Sequence, residues 1–355
     1  MGHSRWRLQT ALNYVAQKVT ELGRHADVEI LVADWGSEVP LAEVLELSPE
    51  AARITSFVVI PRSTAEALQK DSPFAEVFAL NAAARRARGK YIGRIDQDTL
   101  VGKRFLQVFF ELANAGKIDM GFANLKMVHY RFAVTCPELP LVDLFIRCFG
   151  RHIATENARS RSEFYFAGVG IWLCHRDVWQ ECGGYDERMI YMNAMETNMI
   201  RRLLPKYEMV DLGKSSNYDF YHLEHYHPWS ERKSSTHRKV NPHLPFSQPD
   251  TINPNGEDWG LSKYSLEILQ AKTSPAQVAK RQPLARFMAL MLRVGPVILL
   301  DWIGLAFRQQ LKAWKHRAKL LSDTVKGQPM LRWPGLVKRL LVERVRTYPQ
   351  ITQKQ

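Results

Sequence analysis

Hydrophobic positions in the first 130 residues alternate between helical and strand-like spacing. A first helix is predicted by apolar residues three or four positions apart, at Leu8, Leu12, Val15, Val19 and Leu22. Further helices are predicted at 74–88 and 103–115. Buried strands are predicted by apolar runs at 28–33, 56–60 and 91–95, followed by an extended stretch at 121–130. This alternation is typical of an α/β domain with a mostly parallel sheet.

The pattern is less regular in the middle of the chain. Strands are predicted at 164–173, 207–212 and 219–222, and helices at 176–181 and 194–204. Residues 228–262 are rich in Pro, Asn, Ser and His and predict a long loop.

The most apolar segment of the chain lies near the C-terminus, at 287–307. It contains Arg293, Pro296 and Asp301, whereas a membrane-spanning helix prefers about 20 nearly uncharged residues. We therefore do not expect it to span a membrane. Two basic amphipathic stretches follow it.

The positive charge is confined to this C-terminal part. The chain has 355 residues and a formal net charge of +13, yet residues 271–355 hold 17 Lys and Arg against 3 acidic residues. The preceding 270 residues hold 32 basic and 33 acidic residues and are almost neutral. We therefore predict two parts, a domain at 1–270 and a basic helical tail at 271–355, and we expect no nucleic-acid partner, because the main domain has no basic surplus.

Two carboxylates one residue apart follow the predicted strand at 91–95. Asp96 and Asp98 provide the oxygen ligands that a hard divalent cation prefers, and such a cation can neutralise a diphosphate. An isolated pair of this kind is more often a surface turn, so the motif needs support from its surroundings.

The surroundings resemble the family-2 glycosyltransferases. The run from Asn81 to Asp98, Asn-Ala-Ala-Ala-Arg-Arg-Ala-Arg-Gly-Lys-Tyr-Ile-Gly-Arg-Ile-Asp-Gln-Asp, is similar to the central signature of that family. Upstream, 28–37 looks like the strand that ends in the family's Asp-Gly-Ser segment, and downstream, 166–168 with 183–187 is similar to its acceptor-side loop. The resemblance covers about 5–228. It implies a GT-A-like three-layer α/β/α sandwich with a mostly parallel sheet, followed by the basic helical tail.

The resemblance also implies roles for individual residues. Asp34 is expected to bind the nucleotide base, Asp96 the ribose or the metal, and Asp98 the metal. The remaining nucleotide-sugar residues are expected to be Asn81, Arg85 and Gly168, and those on the acceptor side Gly183, Gly184, Asp186 and Glu187. Helix capping and solvated charge stay open as alternatives for Asn81 and Arg85, and simple turns for the glycines.

The catalytic base implied by the resemblance is Glu196. Aligned with the family's Glu-Asp-x-Asp motif, Glu196 takes the position of the catalytic Asp, and Asn198 replaces the last Asp. An ordinary acidic residue in the first turn of a helix is the alternative. His222 and His225 are candidate metal ligands, and because they are three apart we expect only one of them, preferably His225, to reach the metal.

One part of the family pattern has no counterpart here. The family begins with a short buried strand that helps to bind the base, whereas only Met1–Ser4 precede the first predicted helix. We expect such a strand to be encoded upstream of Met1.

The sequence therefore predicts an inverting, metal-dependent glycosyltransferase of the hexosyltransferase type, with Mn²⁺ or Mg²⁺ as cofactor. It would move a sugar from a nucleoside-diphosphate sugar, with UDP-sugars favoured, to a hydroxyl of a glycan or lipid-linked acceptor in bacterial-type polysaccharide or glycoconjugate synthesis. The alternative is a catalytically degraded relative that binds a glycan or a partner protein. Residues 286–355 are expected to hold the protein on an anionic membrane, peripherally on the cytoplasmic side, or else to form a solvated basic appendage.

Overall fold

The protein is a mixed α/β protein. The computed structural model describes residues 2–153, 170–191, 195–225, 241, 251–273 and 282–325. The helices are α1 (Gly2–Glu21), α2 (Leu41–Val44), α3 (Pro49–Ile54), α4 (Arg62–Gln69), α5 (Glu76–Arg86), α6 (Lys103–Asn114), α7 (Tyr130–Ala133), α8 (Leu139–Phe149), α9 (Arg176–Cys182), α10 (Met195–Leu203), α11 (Leu212–Ser215) and α12 (Pro283–Val325). The strands are β1 (Ile30–Trp35), β2 (Thr55–Ile60), β3 (Tyr91–Arg94), β4 (Thr99–Val101), β5 (Met120–Ala123), β6 (Lys126–Val128), β7 (Ile171–His175), β8 (Met209–Asp211), β9 (Phe220–Leu223) and β10 (Glu267–Gln270).

The described strands form three small mixed sheets, in the orders β1-β2-β10, β3-β7-β5-β8 and β4-β9-β6. Parallel pairs are β1 with β2, β5 with β8 and β6 with β9. Antiparallel pairs are β2 with β10, β7 with both β3 and β5, and β4 with β9. The expected single, mostly parallel sheet is therefore not confirmed. The alternation of helix and strand predicted the α/β class, but it could not predict that β7 returns antiparallel between two other strands.

The elements predicted from hydrophobic spacing match the structure closely. The first helix is confirmed as α1, with Leu12, Val15 and Val19 buried. The strands expected at 56–60 and 91–95 are β2 and β3, and the helix expected at 103–115 is α6. The helix α8 was not predicted, although its residues Val142 and Phe145 are completely buried.

An aromatic cluster forms the core beside β3 and β7. The rings of Trp172 and Trp179 stack with their centroids 5.5 Å apart, and both side chains are buried. Trp172 Nε1 donates a hydrogen bond to Tyr185 Oη (2.7 Å), and Trp179 Nε1 donates to the carbonyl of Ile92 (3.1 Å). The second bond ties the core directly to β3, which leads into the Asp96–Asp98 turn.

The chain divides into two compact units, Met1–Ala289 and Leu290–Gln355. Within the described residues, Pro283–Gly304 of α12 is long and apolar enough to cross a membrane. Its mean hydropathy is 1.6, and only 11% of the apolar window is buried.

Candidate metal and nucleotide site

The candidate site is built where β3 passes into β4. The backbone turns between these strands, with Thr99 N donating to the carbonyl of Asp96 (3.1 Å), and β4 then pairs antiparallel with β9 in a different sheet. Thr99 lies opposite His222, and Leu223 N donates to the carbonyl of Asp98 (2.9 Å). This register brings the end of β9 to the side chain of Asp98.

Asp98 meets two imidazoles. Its side chain is 3% exposed; Oδ1 lies 3.1 Å from Nδ1 of His222, and Oδ2 lies 3.2 Å from Nε2 of His225. One ligand atom from each of the three residues lies within 4.8 Å of the others. The sequence predicted that only one histidine would reach the site. Both do, because β9 ends at Leu223 and His225 lies beyond the strand, free of its two-residue alternation.

The charges in this cluster stabilise one another. Burial disfavours the ionised carboxylate of Asp98, but the hydrogen bonds and charges of His222 and His225 outweigh it and hold the pKa of Asp98 well below its usual range. Burial also disfavours a charged imidazolium at His222, but the hydrogen bond with Asp98 and the charges of Asp98 and Asp96 outweigh it and raise the pKa of His222.

The geometry of these three residues fits a divalent cation. Each offers one ligand atom, and because these atoms lie within 4.8 Å of one another, a cation placed between them could contact all three. Two imidazoles and one carboxylate suit a transition-metal ion better than Mg²⁺, which prefers oxygen ligands alone. Asp96, the other carboxylate of the pair, is not part of this three-residue group.

Arg7 of α1 adds a positive charge to the same carboxylate. Its Nε lies 3.3 Å from Asp98 Oδ2, and its side chain is 10% exposed. A cavity of about 220 Å³ opens beside the pair, lined by residues that include Trp6, Arg7, Glu224 and His225. A cavity needs only about 10–15 Å³ by this measure to hold one water. The space is therefore sufficient for a group of several atoms in contact with both the cluster and Arg7.

Asp96 instead belongs to a second cluster, which surrounds Arg94. The Arg94 side chain is 9% exposed, and its Nη2 lies 2.7 Å from Glu76 Oε1, 2.7 Å from Asp96 Oδ1 and 3.3 Å from Glu196 Oε1. The turn after β3 explains the separation: Asp96 and Asp98 would share one face of an extended strand, but the chain bends between them and directs them to different partners.

The predicted base, Glu196, lies in the first turn of α10 within this cluster. Burial raises the pKa of Glu196; Arg94 acts in the opposite direction, and the negative charges of Glu76 and Asp96 add to the rise. A carboxylate with a raised pKa is a stronger base than an ordinary surface carboxylate, and the adjacent guanidinium favours its ionised form.

Asp34 lies near the carboxyl end of β1 and is almost completely buried. It is 1% exposed, and its Oδ2 accepts a hydrogen bond from Leu41 N (2.7 Å). Its Oδ1 has no hydrogen-bond partner among the described residues. A buried carboxylate oxygen without a partner is costly, so Asp34 retains acceptor capacity for a ligand.

Asn81 is placed as a bridge within the fold. Its Nδ2 donates to the carbonyl of Tyr185 (2.8 Å) and to Glu187 Oε1 (3.0 Å), and its Oδ1 accepts from Tyr185 N (2.8 Å). Glu187 also accepts from Gly260 N (2.7 Å), and burial raises the pKa of Glu187. These contacts occupy both side chains in holding α5 against the loop after α9.

The other residues expected on the acceptor side also have structural partners. Gly183 ends α9 with φ +62°, and a Cβ at Gly184, which has φ +73°, would lie 2.3 Å from Asn81 Oδ1. Asp186 is 1% exposed and accepts two hydrogen bonds from the Arg188 guanidinium, both at 2.8 Å. Gly183 and Gly184 therefore serve turns, the alternative that the sequence left open for them.

Arg85 lies at a different cavity. It donates to the carbonyls of Glu257 (2.9 Å) and Trp259 (3.0 Å), and its guanidinium lies 5.1 Å from the Trp259 ring centroid. These residues line a second cavity, of about 510 Å³. Gly168 lies outside the described residues.

Sequence reasoning missed Arg7, Glu76 and Arg94. For Arg94 a signal existed, because an arginine inside the apolar run Tyr91-Ile-Gly-Arg-Ile95 has to be paired when the strand is buried. Arg7 and Glu76 carry no such signal, since each is one of many charged residues on a helix.

Comparisons with known proteins do not identify the chain. No protein-family model matches it, and no characterised protein matches it significantly. The functional interpretation therefore depends on the site itself.

Proposed function

We propose that the protein is an inverting, metal-dependent glycosyltransferase that transfers a sugar from a nucleoside diphosphate to a hydroxyl acceptor. The observation that carries this proposal is the meeting of Asp98, His222 and His225 at the turn after β3, with Asp96 and Glu196 together on Arg94 next to that turn. A cation site and a buried carboxylate at one strand end are the two elements that such a transfer needs. The proposal includes a GT-A-like fold, which is one specific kind of mixed α/β fold.

Within this proposal, Asp98, His222 and His225 hold the cation, and Mn²⁺ is preferred over Mg²⁺ because two of the three ligands are imidazoles. When bound, the cation would act as a Lewis acid that offsets the charge of the leaving diphosphate. The Arg7 guanidinium, on the wall of the adjacent cavity, would bind phosphate oxygens of the same group through charge-assisted hydrogen bonds.

Glu196 would act as the general base. One of its carboxylate oxygens would accept the proton of the acceptor hydroxyl while the acceptor oxygen bonds to the anomeric carbon. The bond from that carbon to the diphosphate breaks on the opposite side, and its electron pair leaves with the diphosphate, so the configuration inverts. Arg94 would hold the Glu196 carboxylate in place and keep it ionised between turnovers.

The nucleotide base would be bound by Asp34, whose Oδ1 is an unused buried acceptor. A base that offers an N–H group, as uracil and guanine do, matches that acceptor, and we favour a UDP-sugar as the donor. The acceptor would be a glycan or a lipid-linked saccharide in polysaccharide or glycoconjugate synthesis.

The experiment is a donor panel of UDP- and GDP-sugars, with Mn²⁺ or Mg²⁺, in which release of the nucleoside diphosphate is measured with and without glycan acceptors. Glu196→Gln is compared with Glu76→Gln, since each removes one charge from Arg94 but only Glu196 is assigned to the acceptor. We expect the first to lower kcat by about 10²–10⁴-fold without weakening nucleotide binding, and the second to have a much smaller effect. Equal losses in the two variants would refute the assignment of the base.

A catalytically degraded relative is the second candidate, because both carboxylates of the pair have an arginine partner: Arg7 for Asp98 and Arg94 for Asp96. Such a protein would bind a glycan or a partner without turnover. Calorimetry with Mn²⁺ and UDP separates the two candidates. The enzyme should bind both, and a degraded protein in which Arg7 replaces the cation should bind neither.

A further inference from the structure

Large apolar side chains are exposed along about the first seven turns of α12. Leu292 is the most exposed, at 77%, and the others are Leu284, Met288, Val297, Leu299, Leu300, Ile303 and Phe307. Soluble proteins scatter exposed apolar residues singly, whereas a continuous series on one element marks an interaction surface.

The exposure is restricted to part of the helix circumference. Phe287 and Ile298 are 3% and 1% exposed, and the residues at 290, 291, 294 and 302 are half-buried. These positions recur every three or four residues and form one stripe. The covered stripe and the exposed face are both apolar, so the charged residues of the helix decide how it lies against a membrane.

The charged residues of the helix favour a position along the membrane surface. Arg286 forms a two-hydrogen-bond ion pair with Glu138 at 2.6 and 2.7 Å, which fixes the first turn of α12 to the N-terminus of α8. Arg293 and Asp301 are exposed within the apolar segment. A long side chain such as Arg293 can extend its charged end to the headgroup level when the helix lies flat.

Charge identifies what the exposed face contacts. Residues 271–355 hold 17 Lys and Arg against 3 acidic residues, while the rest of the chain is almost neutral. An apolar face in a positively charged part of the sequence complements an anionic lipid surface, which supplies both a hydrocarbon boundary and negative headgroups. A second copy of the chain would bring the same positive charge and would repel it.

We propose that the exposed apolar face of residues 283–307 inserts into the interface of an anionic membrane, and that Lys and Arg residues of the 271–355 segment bind its headgroups. The protein is then peripheral, with the helix lying in the plane of the membrane. This inference does not depend on the proposed glycosyl transfer.

The test is co-sedimentation of the full-length protein with vesicles of phosphatidylcholine alone, or of phosphatidylcholine with phosphatidylglycerol. The variant Leu292→Glu/Ile303→Glu places two charges on the proposed face. Its matched control, Val39→Glu/Tyr264→Glu, places two charges at exposed apolar side chains elsewhere. Circular dichroism of both variants verifies that they are folded.

We expect binding to the anionic vesicles only, a fall of at least about tenfold in partitioning for the α12 variant, and no change for the control. Raising the salt from about 0.1 M to about 1 M should release the wild type, because the Debye length falls from about 10 Å to about 3 Å. Equal binding to neutral vesicles, or release only by detergent, would overturn the proposal, the latter in favour of a spanning helix. Absence of vesicle binding, with self-association that the α12 variant abolishes, would overturn it in favour of a second copy.

Discussion

Replacing Arg94 with methionine tests the balance of charge at the centre of the site. Methionine keeps much of the side-chain volume but removes the guanidinium that contacts Glu76, Asp96 and Glu196 at 2.7, 2.7 and 3.3 Å. Removing one partner from a buried ion pair costs about 3–5 kcal/mol. The three carboxylates keep 23%, 34% and 16% of their side-chain surface exposed, so water screens part of their repulsion. We expect a loss near the lower limit, about 3 kcal/mol of unfolding free energy.

Urea denaturation followed by tryptophan fluorescence measures this loss. With a slope of about 3 kcal/mol per molar urea, the midpoint should fall by about 1 M. The control is Arg62→Met, which also removes an arginine paired with two carboxylates, Glu38 and Glu66, but at a position where the arginine side chain is 59% exposed. Its midpoint should stay close to that of the wild type.

The dependence on pH provides the sharper criterion. Burial raises the pKa of Glu196, and Arg94 counteracts the rise. Without Arg94 the pKa should rise further, so lowering the pH from neutral protonates Glu196 and removes part of the repulsion. The penalty of Arg94→Met should therefore shrink as the pH falls. A penalty that grows with falling pH, or one no larger than that of Arg62→Met, would refute the reasoning.

Four further outcomes are expected. Asp98→Asn should weaken Mn²⁺ binding by at least about tenfold in titrations followed by electron paramagnetic resonance. Asp96→Asn should leave Mn²⁺ binding nearly unchanged. Equal effects of the two variants would show that both carboxylates hold the cation. Arg7→Gln should strengthen Mn²⁺ binding in the absence of nucleotide, because it removes a positive charge that competes with the metal for Asp98. In the presence of Mn²⁺ the same variant should weaken UDP binding by about tenfold or more in calorimetry. Unchanged affinities would show that Arg7 is not part of the site. Mn²⁺ affinity should fall as the pH is lowered through the raised pKa of His222, because the proton competes with the metal for the imidazole, and a flat profile would exclude this ligand. Gly184→Ala should lower the melting temperature, since the backbone has φ +73° and the added Cβ would lie 2.3 Å from a buried side-chain oxygen; an unchanged value would mean that the loop relaxes freely.

Hydrophobic spacing predicted the elements around the site because local burial determines that spacing. The helix α1 and the strands β2 and β3 were placed within a few residues, and Asp98 was correctly expected at a strand end. Spacing carries no information on strand direction, so the antiparallel return of β7 and the division into three small sheets were not predicted.

The membership of the two side-chain clusters was predicted only in part. A short motif treats Asp96 and Asp98 as one unit, but a single hydrogen bond from Thr99 N to the carbonyl of Asp96 marks the turn that separates them. The partners Arg7 and Arg94 come from distant or buried positions, and only the folded chain brings them to the carboxylates. Sequence reasoning thus found Asp96, Asp98 and Glu196, but neither Glu76 nor the two arginines that balance these carboxylates.

The pairing of β4 with β9 has a consequence for the order in which the protein forms. Asp98 joins a helix near the start of the chain, through Arg7, to histidines more than 120 residues further along. Closing so long a segment is slow, because its entropy is lost before the contacts form. During synthesis the cation site therefore cannot exist until the ribosome has released the chain beyond His225. A metal ion that binds there would stabilise only a chain in which β4 and β9 have already paired, and its capture would report that pairing.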